Sequence, residues 1–220
     1  LEIKKGINEI ISNVKLSDKL AKVCSLLQNQ IIESNAVITS GAGKTINAGT
    51  GAVDITLKNG AGKTYLTSGA ITLDAITADA ISVQNQGPTA SSGVVLNAAL
   101  TANTGAVYVS ANSGDVAISN NISTNNTGVS AIKLNAGKAT AVGTTTGGDV
   151  LISGSPSITT GAGGRTTLFS GSVSGSTGLT ALIGSGSGRF RYYSNESTSN
   201  YVTALGSGMY GIYRERPAVT

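Results

Sequence analysis

Histidine is missing from this chain altogether. Its absence removes His-based catalytic triads and most transition-metal sites, which rely on imidazole as base or ligand. Cys24 is the only cysteine, so no intrachain disulfide can form; a lone free thiol ordinarily behaves as a small buried apolar group. Charged residues are 12% and aromatics 4% of the 220 residues, against about 25% charged in an ordinary globular domain. No apolar run approaches the ~20 residues of a membrane span, and the charged opening at Leu1 lacks the apolar core of a signal peptide. The formal net charge is only +4, with a sequence pI near 9.2. Residues 34–188 carry six basic and five acidic side chains, and four of the five arginines follow position 188. The excess therefore sits at the ends, and the C-terminal end could touch an acidic partner. No basic stripe runs through the middle to suggest nucleic-acid binding.

What the chain has instead is glycine, 30 of them, among serine, threonine, asparagine and alanine. Val, Ile and Leu stay frequent and evenly spaced, which argues against disorder. They recur in one phrase, a glycine followed by a short alternating apolar run. Gly51-Ala-Val-Asp-Ile-Thr-Leu57 is echoed at Gly69–Leu73, Gly93–Leu96, Gly105–Val109, Gly114–Ile118 and Gly148–Ile152. Period-2 alternation buries one face of a strand, and the glycine supplies the turn before it. A single such strand cannot bury its own apolar side, so it needs copies above and below. The pattern predicts an all-β fold, a parallel β-helix (β-solenoid).

Three domains follow from the composition. Residues 34–184 form the solenoid. Its Gly-Ala-Gly-Lys-Thr core repeats after nineteen residues, Gly41 to Gly60, close to the ~20-residue repeats of solenoids. Taken as one coil, that length makes the thirty-four residues between the Gly-Asp-Val phrases about two coils. The fifty-four between the Thr-Gly-Ala-Val phrases become about three, and the whole region roughly eight. Val53, Ile55, Ile71, Leu73, Val107, Val109, Val116, Ile118, Val150 and Ile152 should point inward in columns. Asn120, Asn121, Asn125 and Asn126 are candidates for side-chain ladders between coils. Residues 1–33 hold five of the lysines and a single glycine. Ile3, Ile7, Ile10, Ile11 and Val14, then Leu20, Val23, Cys24, Leu27 and Ile31, fall at helical spacing, with Ser17 as a possible N-cap. An irregular first coil fits as well; on either reading this segment covers an open sheet end. Residues 185–220 hold five of seven tyrosines and one of two phenylalanines. They read as an aromatic C-terminal hairpin that caps the solenoid or links it to further repeats. Phe190, Tyr192, Tyr193, Tyr210 and Tyr213 are its candidate capping or assembly surface.

The chemistry-bearing motifs are weak. Gly43-Lys44-Thr45 and Gly62-Lys63-Thr64 suggest a phosphate loop, but the glycine required five residues earlier is Ile38 in one and Leu57 in the other. Asp54, Asp74, Asp79, Asp115 and Asp149 are the only acids in residues 34–188. Asp115 and Asp149, two coils and ~10 Å apart on this count, would suit a glycosidase pair or a calcium ladder; the plainer reading is a solvated Asp in a Gly-Asp turn. Sequons at Asn121, Asn125 and Asn195 are expected by chance in so Asn/Ser/Thr-rich a chain.

The strand phrases in their Ser/Thr/Asn/Gly-rich coils resemble the filamentous-haemagglutinin-like exoproteins of Gram-negative bacteria. The closing phrase Arg189-Phe-Arg-Tyr-Tyr-Ser194 … Gly206-Ser-Gly-Met-Tyr-Gly-Ile-Tyr-Arg-Glu-Arg-Pro217 resembles them too. The resemblance spans roughly residues 34–217. It implies a right-handed β-helical shaft of a secreted or cell-surface adhesin, often exported by two-partner secretion, and an excerpt of a longer chain. The expected function is structural and adhesive, without enzymatic activity or cofactor. The partners would be further copies or repeats of the chain and a host-cell or surface glycan or protein receptor. The alternatives are a β-helical polysaccharide lyase or hydrolase, and a flat Thr-rich face that binds ice or another ordered surface.

Overall fold

The structure, a computed structural model, describes residues 36–40, 43–58 and 68–217. The chain winds through three short strands per turn. The first turn holds β1 (Ala36–Thr39), β2 (Ile46–Asn47) and β3 (Val53–Leu57); the second, β4 (Ser68–Leu73), β5 (Ile76–Ala78) and β6 (Ile81–Asn85). The third holds β7 (Val94–Leu96), β8 (Leu100–Ala102) and β9 (Val107–Ala111); the fourth, β10 (Val116–Ile118), β11 (Ile122–Ser123) and β12 (Ile132–Ala136). The fifth is β13 (Val150–Ile152), β14 (Ile158–Thr159) and β15 (Arg165–Ser170). Strands three apart in sequence are neighbours in space, so one sheet runs β1-β4-β7-β10-β13 and a second β2-β5-β8-β11-β14. The third begins β3-β6-β9-β12-β15, and every pairing is parallel. This is a parallel β-solenoid, as the alternation predicted, and it has three sides.

The coil count differs from the expectation. Val116 of β10 lies in register with Val150 of β13 and with Val94 of β7. The phrases thirty-four residues apart therefore occupy adjacent coils, and those fifty-four apart, Val53 and Val107, are two coils apart through Ile81. Five coils are described over residues 36–170 rather than eight over 34–184. The nineteen-residue offset is not a coil length: Ile46 pairs with Ile76. Coils differ in length because insertions leave the strands' register intact. The longest within these five coils is the loop 137–149 between β12 and β13. Residues 1–33, with Cys24 and the proposed N-terminal cap, lie outside the described residues.

Parity along the strands places the core. Val53, Ile71, Leu73, Val107, Val109, Val116, Ile118, Val150 and Ile152 are all buried, and Ile55 packs against them half-buried. One polar residue joins the inward column of Leu57, Ala111 and Ala136: Asn85, wholly buried. Its Nδ2 donates to the carbonyls of Gly69 and Gly93, both at 3.0 Å, and its Oδ1 accepts the Gly87 N–H. An amide is tolerated there because both its nitrogen and its oxygen find backbone partners.

The glycines before β7, β10 and β13, the last three strands of the first sheet, have a steric cause. A Cβ on Gly93 would lie 2.8 Å from the Asp115 carbonyl oxygen, and one on Gly114 2.5 Å from the Gly93 nitrogen. On Gly148, at φ +127°, it would lie 2.2 Å from the Gly114 oxygen. These corners stack backbone on backbone, which only glycine permits.

The end of the third sheet departs from a hairpin. After β15 the chain forms a helix, α1 (Leu179–Ile183), then β16 (Phe190–Arg191) and β17 (Gly208–Tyr213). The sheet order is β16-β17-β15, so the last strand enters between its two predecessors, and β16 and β17 run parallel. They form no hairpin because the connection 192–207 crosses back over the sheet's outer face, returning the chain to the side from which it left. The helix was not foreseen; its Leu179 is buried, and Leu182 and Ile183 pack on the core.

Truncating Leu134, wholly buried in β12, to alanine should cost about 2–5 kcal/mol. Gly114→Ala should cost about 1–3 kcal/mol through forced backbone shifts, and Thr101→Ala, on an exposed position of β8, under about 0.5 kcal/mol. Thermal or denaturant unfolding of the three variants checks this ranking.

Candidate functional site

The five aromatic residues singled out in the sequence occupy three separate places. Tyr213, inward on β17 and wholly buried, stacks with Phe190 at 5.9 Å between ring centres and with Tyr192 at 5.5 Å. With α1 these rings lie against the last coil of the core. Burial raises the Tyr213 hydroxyl above the usual tyrosine value. Tyr210, three residues earlier on β17, has the opposite parity and faces outward. It joins Phe169 and Ile212 in a second apolar cluster, covered by Tyr201 and Leu205. The guanidinium groups of Arg189 and Arg191 stack on the Tyr210 ring at 5.1 and 5.7 Å. Tyr193 stands apart at φ +51°, where the chain turns out of β16. Arg216 lies over its ring at 4.7 Å and donates to its hydroxyl.

The connection 192–207 is a strap across the outer face of the third sheet. At one end Tyr201 and Leu205 cover the apolar cluster, and Arg165 Nη1 donates to the Leu205 carbonyl. At the other end Glu196 forms a polar knot. Its Oε1 accepts from Lys133 Nζ at 2.8 Å, and its Oε2 from Asn135 Nδ2 at 2.7 Å and from the Tyr108 hydroxyl at 3.4 Å. Lys138 lies over the Tyr108 ring at 5.2 Å. Burial works against the Glu196 charge, but the bonds from Lys133 and Asn135 and the charges of Lys133 and Lys138 outweigh it. The carboxyl is held below the usual glutamate value of 4.5. Sequence reasoning passed over this knot. Its signal was available in strand parity, since Lys133 and Asn135 alternate outward between the inward Ile132, Leu134 and Ala136; nothing local marks Glu196 as their partner.

Arg214, just past β17, is 1% exposed. Its Nη1 donates to the Ala136 carbonyl and its Nη2 to those of Thr146, at 3.2 Å, and Gly148, at 2.6 Å. Burial lowers its pKa from the ordinary guanidinium value, and the Asp149 charge opposes that shift. Gly137 leaves the room: a Cβ there would lie 2.6 Å from Nη2. A planar fork with donors on both arms suits several carbonyls converging from one loop.

The acids considered for catalysis are occupied by the fold. Asp115 and Asp149 lie in adjacent coils, not two apart, and Asp115 Oδ1 accepts the Asp149 N–H at 2.8 Å. Asp149 Oδ1 accepts from Ser170 Oγ, the Ser172 N–H and Ser176 Oγ. Asp79 takes the Thr104 hydroxyl, Asp74 the Gly43 N–H and Asp54 the Thr56 hydroxyl. No group of three or more metal-ligating side chains occurs among the described residues, and no helix among them is long and apolar enough to cross a membrane.

Nor do the asparagines form side-chain ladders. Asn120 and Asn126 donate instead to the carbonyls of Asn97 and Thr104 in the preceding coil, and Asn121 accepts the Ser157 N–H of the next. Outward threonine columns are incomplete: the second sheet runs Asn47, Thr77, Thr101, Ser123, Thr159. The first sheet changes from Thr39 and Thr72 to Val95, Ala117 and Leu151.

Comparison of the chain with protein-family models, with curated proteins and with solved structures found no match.

The Glu196 knot should make the strap acid-sensitive. A carboxyl with a depressed folded pKa contributes stability that is complete above the unfolded value and is lost as pH falls through the folded one. Amide hydrogen exchange over 194–200 should therefore speed up below about pH 4.5, relative to β12. In Glu196→Gln it should be faster already at neutral pH and lose that acid step.

Proposed function

We propose that this chain is a structural and adhesive segment of a secreted or cell-surface bacterial adhesin or fibre, a stiff β-solenoid shaft without enzymatic activity. One observation carries the reading: inward columns keep register from the second coil to the fifth, as in Val94, Val116 and Val150 or Val83, Val109 and Leu134. Each coil is hydrogen-bonded along the axis to the next, so bending the rod strains many bonds at once. Such a body transmits position and force over a distance, which is the task of a shaft. Length variation falls in the corners, so the exposed loops can differ from coil to coil while the rod stays continuous.

The resemblance of the coil and closing phrases to filamentous-haemagglutinin-like exoproteins supports the same reading, with export to the cell surface and a right-handed winding. The partners would be neighbouring repeats or copies of the chain and a glycan or protein receptor on a surface. A polysaccharide lyase or hydrolase would need a pair of carboxylates free to meet a glycan. The engagement of Asp115 and Asp149 by backbone and serine donors gives that alternative no support.

The shaft reading predicts that limited proteolysis under native conditions spares residues 36–170 while cutting exposed connections first. Rapid cleavage throughout that region would sink it. Adhesion is tested separately: particles coated with the protein should be retained on cells or glycan-bearing surfaces above uncoated particles, without any glycan being cleaved.

A further inference from the structure

The last strand is fastened most heavily at the point where tension from the chain beyond it would arrive. A load entering past Pro217 and directed along the rod would peel β17 from β15, starting at its C-terminal end. Peeling a ladder from one end breaks its bonds one after another, so a simple edge strand resists poorly. Here the leading end is tied on several sides. The N–H groups of Arg214 and Glu215 donate to the carbonyls of Ser170 and Gly171 on the β15 side. The carbonyls of Arg214 and Glu215 accept from Gly143, in the loop 137–149, and from Tyr193, just past β16. Glu215 Oε1 accepts the Val173 N–H, and Arg216 clasps Tyr193.

The Arg214 side chain goes further. It passes the neighbouring strand and bonds to Ala136 at the end of β12 and to Thr146 and Gly148 in the following loop. Tension on residue 214 is thus carried into the fourth coil as well as the fifth. The insertion of β17 between β15 and β16 adds a second flank that must part before the strand can leave.

The geometry points to a mechanical bolt: Arg214 and the residues beside it hold the C-terminal end of the solenoid closed against axial tension, so that this end is not the first part of the rod to yield. The inference rests on the shaft reading for its purpose, but its geometry is independent of adhesion.

Single-molecule force spectroscopy on the whole chain, with handles at its two ends, tests it. Release of everything beyond Ser170 would lengthen the tether by about 160 Å at ~3.5 Å per residue. In the unaltered chain this step should not come first. In Arg214→Met it should become the first event and occur at lower force. Arg214→Lys should lie between, because one ammonium cannot serve three carbonyls spread over two arms. Circular dichroism and the proteolytic pattern of residues 36–170 establish that the variants keep their coils. If the unaltered chain releases that length first, at the force seen in Arg214→Met, the bolt is overturned while the shaft reading stands. If the coils themselves extend without resistance, the shaft reading fails whatever Arg214 does.

Discussion

Everything in this molecule depends on the close axial stacking of one coil on the next. Parallel strands in adjacent coils must approach to ~4.8 Å to share backbone hydrogen bonds, and that spacing must hold at the corners as well as along the flat faces. The corners before the first sheet meet it by having no side chain: Gly93, Gly114 and Gly148 lie so close to their neighbours' backbone that a Cβ on any of them would collide with it. Once the corners are stacked, the register of every strand follows, and with it the columns of valine, isoleucine and leucine that fill the interior. The buried Asn85 fits between coils because its amide is fully engaged by backbone groups, donating to the carbonyls of Gly69 and Gly93 and accepting from Gly87.

Side chains that would carry chemistry in another fold are drawn into this task. Asp115 caps the N–H of Asp149 one coil on, and Asp149 gathers three donors of its own. Arg214 spends its charge on neutral carbonyls, where a guanidinium serves as a set of rigidly placed donors. Asp115 and Arg214 therefore act along the rod as the apolar columns do, fastening one coil to another.

Past β15 the chain packs on the last coil in a different way. In the third sheet only the two-residue β16 stands outermost, and α1 with Leu179, Phe190, Tyr192 and Tyr213 lies against the core beside it. The strap does the same for the outer face, where Phe169, Tyr210 and Ile212 would otherwise form an apolar patch.

Much of this was legible in the sequence because it is local. Period-2 alternation after a glycine identifies the strands, their inward residues and the solenoid class, since those follow from the pleat and from the inability of one such strand to bury its own face. Coil length was not legible, because the backbone registers strands by hydrogen bonding and tolerates insertions of any length between them; the repeated Gly-Ala-Gly-Lys-Thr phrase misled for that reason. The aromatic segment announced itself by composition, yet its parallel strands, the insertion of β17 and the division of its rings among three places are decided by long-range pairing. Glu196 with Lys133 and Asn135, and Arg214 with the loop 137–149, join residues more than sixty positions apart. Sequence alone determined which residues could build a stack. Only the tertiary structure decided where each coil ends and which distant side chains lock it, because those choices depend on the spatial meeting of segments that local pattern leaves independent.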